Sequence, residues 1–285
     1  MRPDCGESAV GNAGGEIVKS GFSVFLASFI GLGLSWCGLV LGPVLQLGEG
    51  KQTTVLNSSE VYPNQRPGAA TLGLQVYRAY GCAACHTTQI GQDGVVCDVI
   101  LTKAGNNPNA VSNLISGLTL TGITKDEADL ASTKIGAGGG KTETHIVPVG
   151  ADIARGWGTR HSVAEDFLWD NPVQIGSVRV GPDLANVGTR YDANGLFYHL
   201  YAPQSAVKGS AMPPFHYLFV TQKIGDASSS DALQLPGDIA PPAGYEVVPT
   251  DDAKNLVAYL LSLSANLPLH DAPFTAATPA AAPKK

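Results

Sequence analysis

The chain is poor in charge, in sulfur and in aromatic side chains. Only 15% of its 285 residues are charged and 7% are aromatic, and apart from Met1 it contains one methionine, Met212. The formal net charge is −6 and no basic stripe is present, which argues against a nucleic-acid partner. Because thioether and charged side chains are scarce, few residues are available for metal or redox chemistry.

Charge is missing altogether from one long segment near the N-terminus. No Asp, Glu, Lys or Arg occurs between Ser20 and Gly48, and about 20 apolar residues suffice to cross a bilayer. The alternative is a cleaved signal peptide, but the preceding residues are only weakly basic, the apolar stretch is overlong and no A-x-A cleavage site follows. We therefore predict a retained transmembrane anchor over residues 20–48, which places membrane lipid among the partners.

The most informative motif is CxxCH, formed by Cys82, Cys85 and His86. Two thiols at this separation add across the vinyl groups of one porphyrin, and the following histidine then binds the iron. A thioredoxin-like redox pair is one alternative, but it should follow a strand, and the sequence before Cys82 is typical of a helix. A zinc knuckle needs about four ligands, and no second pair follows. The motif predicts one covalently bound haem c.

Met212 is the best candidate for the second axial ligand of that iron. It lies in Ser210–Pro214, where two prolines stiffen the loop and would hold a side chain in a fixed orientation. A thioether ligand favours reduced iron and raises its potential. Five histidines compete for the position, and His216 is the alternative that merits a test; the others are His145, His161, His199 and His270.

A Gly-Pro loop stands between the two ligand motifs, at Gly181–Leu184. In class I cytochromes c such a loop lies against the proximal face, and its proline carbonyl accepts the second ring N–H of the haem histidine. Pro182 is expected to play this part here. Arg179, just upstream, is either a partner of a haem propionate or a solvated surface arginine.

Two helices are predicted to frame the site. The first runs from about Thr71 to Ala84, and the second begins at Asp251 or Asp252 and ends near Ser264. The apolar residues of the second helix follow helical spacing, so this stripe must be buried. Class I cytochromes c cross an N-terminal and a C-terminal helix over the haem edge in this way.

Pro182 lies much farther from His86 than such a loop usually does, which predicts an insertion. The expected fold is therefore mainly α, with one N-terminal transmembrane helix and a class I cytochrome c-like haem domain interrupted by a small α/β insertion. The insertion should contain a strand at Val95–Leu101, a helix from near Pro108, a helix from a capping box at Thr124 and Glu127 to Gly136, and a strand at Thr144–Val149. The predicted parts are a cytoplasmic tail at 1–19, the anchor at 20–48, the first part of the haem domain at 49–87, the insertion at 88–149, the remainder at 150–270 and a disordered tail at 271–285.

Five further motifs carry a family resemblance. The chain resembles the monohaem cytochrome c subunit (subunit II) of cbb3-type cytochrome c oxidases over roughly residues 20–86 and 150–264. The motifs are Ala151–Arg160, Ser162–Asp166, Val180–Gly188, His199–Pro203 and Ser210–Pro214. Where that family usually continues the attachment motif as CHSQ, this chain has Thr87, Thr88 and Gln89 and then the insertion.

The resemblance implies a non-catalytic electron-transfer subunit of a proton-pumping terminal oxidase. Cys82 and Cys85 would bind the haem, and His86 and Met212 would ligate its iron. Electrons would come from a dihaem cytochrome c subunit or a soluble cytochrome c and pass to a catalytic haem–copper oxidase subunit. Because haem c is attached outside the bacterial inner membrane, the haem domain is expected in the periplasm, with Cys97 left as an unpaired thiol.

Three other functions remain open at this point. The first is the haem c small subunit of a nitric oxide reductase, which has the same electron-feeding task. The second is a free-standing anchored electron shuttle without an obligate partner. The third is an enzyme such as a haem peroxidase, which the single attachment motif and the methionine candidate argue against.

Overall fold

The computed structural model describes residues 21–47, 50–105 and 120–275, together with Asn109 and Ser112. The chain divides into two compact units, residues 1–50 and residues 51–285. The predicted tail at 1–19, most of the helix predicted from near Pro108 and residues 276–285 lie outside the described residues.

The described part of the first unit is mainly one unbroken helical segment, Gly21–Leu47. Helix α1 (Gly21–Trp36) runs through a π-helical stretch at Cys37–Leu41 into α2 (Gly42–Leu47). The 25 residues Gly21–Leu45 form a helix long and apolar enough to cross a membrane, and none of the segment is buried within the protein. Apolar side chains on every side suit a lipid environment better than water.

The described part of the second unit combines helices with three two-stranded sheets, all antiparallel. In chain order its elements are β1 (Thr53–Thr54), β2 (Val61–Tyr62), α3 (Gly68–Ala79), β3 (Gly94–Lys103), α4 (Lys125–Ala137), β4 (Lys141–Val149), α5 (Ala151–Ala154), α6 (Ala193–Tyr201), α7 (Pro203–Ala206), β5 (Phe219–Lys223), β6 (Tyr245–Pro249) and α8 (Asp251–Ser262).

Helices α3 and α8 cross at the centre of the main core. Gly73 of α3 lies so close to α8 that a Cβ there would overlap the carbonyl of Asn255. The rings of Tyr77 and Tyr259 meet at the same crossing, 5.3 Å apart between centroids, and both residues are fully buried. A glycine on one helix that faces larger side chains on the other allows the two helices to pack closely.

The bounds of these two helices differ from the prediction. Helix α3 ends before the attachment motif, because Gly81 adopts a left-handed conformation (φ 67°) that stops the helix. Residues Cys82–Ala84 then form a separate 3₁₀ turn. Helix α8 is capped by Thr250, whose hydroxyl accepts a hydrogen bond from the Ala253 N–H at 3.3 Å, rather than by Asp251 or Asp252.

The predicted insertion contains a long ribbon with a helix on it. Strands β3 and β4 pair from Gly94 opposite Val149 to their far ends, and both are longer than predicted. The capping box of α4 is confirmed, with the Thr124 N–H donating to Glu127 Oε2 at 2.9 Å. The ribbon and α4 share a small core that includes Cys97, which is buried with a free thiol.

The packed chain extends past the predicted start of the disordered tail at residue 271. Ala272 is 1% exposed, and the Thr275 N–H donates to the Ile146 carbonyl of β4 at 3.2 Å. Residues 271–275 are therefore held by burial and by a hydrogen bond to the ribbon edge.

Candidate functional site

The attachment motif forms one tight turn. After Gly81 the chain folds into the 3₁₀ turn, and the His86 N–H donates to the Cys82 carbonyl at 3.0 Å. This bond holds the first cysteine and the histidine one helical turn apart. Both residues line the same cleft.

The His86 ring is oriented by the Gly-Pro loop. Its Nδ1–H donates to the Pro182 carbonyl oxygen at 2.8 Å, which leaves Nε2 as the nitrogen with a free lone pair. Gly181 lies flat against the ring, because a Cβ at that position would overlap the imidazole. The loop therefore fixes the rotation of the ring and its tautomer.

A cleft opens beside His86. It brings together His86 and Met212, which belong to distant parts of the sequence. Its walls are mainly apolar. The other lining residues are Tyr77, Cys82, Pro182, Leu184, Val187, Arg190, Tyr191, Leu196, His199, Leu200, Leu256 and Leu260.

The Met212 loop is anchored by hydrogen bonds. Gln204 Nε2 donates to the Met212 carbonyl at 2.6 Å, and the Met212 N–H donates to Ser210 Oγ at 3.2 Å. His216, the alternative ligand, is exposed. Its ring lies tilted against that of Tyr201, with 4.7 Å between ring centroids. Within the described chain His216 is not a lining residue of the cleft, so Met212 is the better placed of the two.

His199 is the competing histidine that the fold does bring to the cleft. Burial, and then the neighbouring His86, lower the pKa of its imidazole below the ordinary value. A neutral imidazole can bind iron, so His199 is a second candidate for the distal position. The sequence pattern offered no reason to prefer it over the other histidines.

The thiol of Cys82 differs in pKa from the thiols of a redox pair. Burial raises the pKa of the Cys82 thiol to about 11, whereas redox-active cysteines have lowered pKa values. No group of three or more His, Cys, Asp and Glu side chains could hold a metal in the part of the chain that the structure describes. The raised pKa of Cys82 argues against the thioredoxin-like alternative.

Two arginines lie close to the Gly-Pro loop. Arg179 Nη1 donates to Asp152 Oδ1 at 2.8 Å and its Nε donates to Thr87 Oγ1 at 2.8 Å, so its guanidinium is engaged by protein groups. Arg190 lines the cleft, and burial lowers its pKa. Arg190 was not predicted from the sequence; its position shortly after the Gly-Pro loop was the available signal.

The cleft fits a haem. It presents a thiol at Cys82, an imidazole and a thioether for iron, and apolar walls for a porphyrin. The hydroxyl of Tyr77, another lining residue, is buried with no hydrogen-bond partner among the described residues. A buried polar atom of this kind indicates a missing neighbour. Arg190 is the lining cation suited to a carboxylate such as a propionate.

A family match is found for part of the chain. No curated protein matches the chain. Residues 143–242 match the family described as cytochrome C oxidase, mono-heme subunit/FixO. The matched segment contains Arg179, Pro182 and Met212, and it ends before α8 begins. The predicted resemblance is therefore confirmed over residues 143–242, where this chain is similar to the mono-haem subunit of a cytochrome c oxidase, and residues 20–86 lie outside the matched segment.

Proposed function

We propose that this protein is a membrane-anchored monohaem cytochrome c and the electron-transfer subunit of a cbb3-type cytochrome c oxidase. The observation that carries the proposal is the geometry of the cleft, and the family match supports it. Cys82, His86 and Met212 come together on one apolar cleft, and the family match independently points to a mono-haem oxidase subunit. The haem domain would have a class I cytochrome c-like fold, for which the crossing of α3 and α8 is the main support.

The protein's own part in the reaction is to hold and to shield. His86 keeps Nε2 free for iron, because Nδ1 is engaged by Pro182. Met212 would supply the sixth ligand from its anchored loop. Leu256 and Leu260 of α8 exclude water from the cleft. The bound haem supplies a one-electron ferric–ferrous couple, whose potential responds to ligand identity and burial.

The setting follows from the same proposal. The helix at Gly21–Leu45 would anchor the subunit in the bacterial inner membrane with the haem domain in the periplasm. Electrons would arrive from a dihaem cytochrome c subunit or a soluble cytochrome c. They would leave to a catalytic haem–copper subunit of the same complex.

Purification in mild detergent tests this function. We expect a pigment that survives acid–acetone extraction, a c-type pyridine haemochrome spectrum with one haem per chain, and copurification of a haem–copper oxidase subunit. A colourless protein would overturn the cytochrome assignment. A copurified nitric oxide reductase subunit, or a pigmented monomer without partners, would overturn the oxidase assignment and leave the haem assignment standing.

Replacement of Met212 by Ala tests the ligand assignment. Because the thioether bonds at Cys82 and Cys85 do not depend on it, the haem should stay attached while its reduction potential falls and the methionine–iron absorption band disappears. His216→Ala is a matched control and should change neither property. His199→Gln is a second control and should keep the sixth ligand. An unchanged potential in the Met212 variant, or loss of the sixth ligand in the His199 variant, would show that Met212 is not the ligand.

A further inference from the structure

Thr87, the residue directly after the proximal histidine, is the centre of a buried polar network. Its hydroxyl donates to Asp183 Oδ2 at 2.5 Å and accepts from Arg179 Nε at 2.8 Å. Thr87 is 8% exposed and Asp183 is fully buried. Asp183 Oδ2 also accepts from the Gln89 N–H at 2.8 Å. One carboxylate therefore binds both ends of the segment Thr87–Gln89.

Arg179 makes a separate contact with each part of its guanidinium. Besides Nε to Thr87, Nη1 donates to Asp152 Oδ1 at 2.8 Å and Nη2 donates to the Gln89 carbonyl. Nη2 lies 3.6 Å from Asp183 Oδ2. A planar fork with fixed N–H directions can satisfy these groups together, whereas the single ammonium of a lysine cannot.

Asp152 joins the base of the ribbon to the same network. It is 4% exposed, and its second oxygen, Oδ2, accepts from the Gly91 N–H at 2.7 Å. Asp152 follows β4, and Gly91 precedes β3. The two chain segments that enter and leave the ribbon are therefore tied to each other and, through Arg179, to Thr87.

The network is connected to the haem ligand by backbone hydrogen bonds on both sides of His86. The Gly181 N–H donates to the Cys85 carbonyl at 3.0 Å, and the Leu184 N–H donates to the Thr87 carbonyl at 2.8 Å. The carbonyl of Pro182, which orients the His86 ring, lies between these two bonds. A shift of Thr87 must therefore move the groups that set the direction of the imidazole.

We propose that Arg179, together with Asp152, is a positioning residue that braces the His86 loop and sets the orientation of the axial imidazole. This assignment rests on the proposed function and replaces the propionate contact considered for Arg179 from the sequence. Its guanidinium is engaged by Thr87, Asp152 and Gln89. The residues that close the ribbon are then part of the support of the haem ligand.

The experiment uses the full-length, haem-loaded protein and compares Arg179→Lys, Asp152→Asn and Arg155→Gln with the unchanged chain. Arg155 is the matched control, because it also faces Asp152 Oδ1, at 3.6 Å, but its side chain is 57% exposed. The readouts are the EPR g-values of the oxidised haem, which report the orientation of the axial ligands, and the midpoint potential.

We expect covalent haem in every variant, with shifted or broadened g-values in Arg179→Lys and Asp152→Asn and unchanged g-values in Arg155→Gln. The lysine variant keeps the positive charge, so a change there reports lost geometry. The proposal is overturned if Arg179→Lys and Asp152→Asn both keep the g-values of the unchanged chain. It is also overturned if the Arg179 variant alone changes and the potential acquires a new pH dependence, since that combination indicates a propionate contact.

A further variant decides the matter if Arg179→Lys does not yield loaded protein. Thr87→Val removes only the hydroxyl that joins Arg179 to Asp183 and keeps the side-chain volume. Shifted g-values in this variant support the brace, and unchanged g-values overturn it. Absence of covalent haem in the unchanged chain would count against the proposed function and is thus distinguishable from failure of the brace.

Discussion

At the scale of single residues, the space beside the His86 ring admits only glycine. Gly181 has no side chain, and a Cβ there would overlap the imidazole. The backbone of the Gly-Pro loop can therefore approach the ring closely enough for the Pro182 carbonyl to accept its Nδ1–H at 2.8 Å. The glycine is needed for close approach, not for a positive φ.

Gly181→Ala should displace either the ring or the loop. Overpacking of a tight site typically costs about 1–3 kcal/mol, so we expect a lower unfolding midpoint and, because the imidazole is displaced, shifted EPR g-values in the haem-loaded protein. Gly225→Ala is the control, since no heavy atom lies within 4 Å of its added Cβ. Equal stability and equal spectra in the two variants would contradict the packing seen at Gly181.

Residues that belong to a recognisable motif could be proposed from the sequence, and residues that the fold recruits could not. Cys82, Cys85 and His86 have a spacing dictated by the porphyrin, and Met212 stood out because thioethers are scarce. Their ligand roles remain predictions. Asp152 and Arg190 carry no motif of their own, because their contacts exist only after distant segments have packed together.

At the scale of elements, the crossing of α3 and α8 determines the geometry above the cleft. Tyr77 and Leu256 lie on the two helices and also line the cleft. The distance between the helix axes depends on Gly73, which lies against the backbone of α8 at Asn255. A wider crossing would therefore also widen the cleft.

Gly73→Ala should push the two helices apart. Although alanine is the better helix former by about 1 kcal/mol, its Cβ would meet the Asn255 carbonyl. We expect a net loss of about 1–3 kcal/mol in the free energy of unfolding, measured by denaturant titration of the haem-loaded protein. Gly68→Ala, at the start of α3 with no neighbour within 4 Å, should be neutral or slightly stabilising. A stabilised Gly73 variant would argue against the close crossing.

The ends of elements show where local sequence signals suffice. The capping box of Thr124 and Glu127 was predicted correctly, because the pattern and its hydrogen bonds are local. The end of α3 was predicted too late, because the apolar spacing continues towards Cys82 while Gly81 leaves the helical conformation. Helical periodicity gives no information about this left-handed turn.

At the scale of the whole molecule, the two units differ in where their apolar side chains lie. The helix over Gly21–Leu45 is apolar and not buried within the protein. The unit of residues 51–285 has its own core, formed mainly by α3, α6 and α8. Composition alone predicted the first unit, since a charge-free apolar segment of this length matches the thickness of a bilayer. The register of the ribbon strands, and the hydrogen bonds that join the base of the ribbon to Thr87 through Arg179, could not be predicted without the structure.

A chain that begins at Lys51 should fold and bind haem without detergent. We expect it to remain in the aqueous phase with the same covalent haem spectrum and potential as the full-length protein, which should require detergent. The core of the second unit is made by residues after Lys51, so stability should be little changed. Aggregation of the shortened protein, or a changed potential, would show that the anchor contributes to the haem site.

The pairing of Gly94 with Val149 has a consequence for protein engineering. Strands β3 and β4 start and finish as neighbours, and the Asp93 N–H donates to the Val149 carbonyl at 2.8 Å just outside them. Because the strand pairing fixes the separation of Gly94 and Val149, changes at the far end of the ribbon, near Lys103 and Lys141, should leave the spacing at its base unchanged. That end is a suitable place for an affinity tag or a fluorophore that leaves the proposed haem site undisturbed.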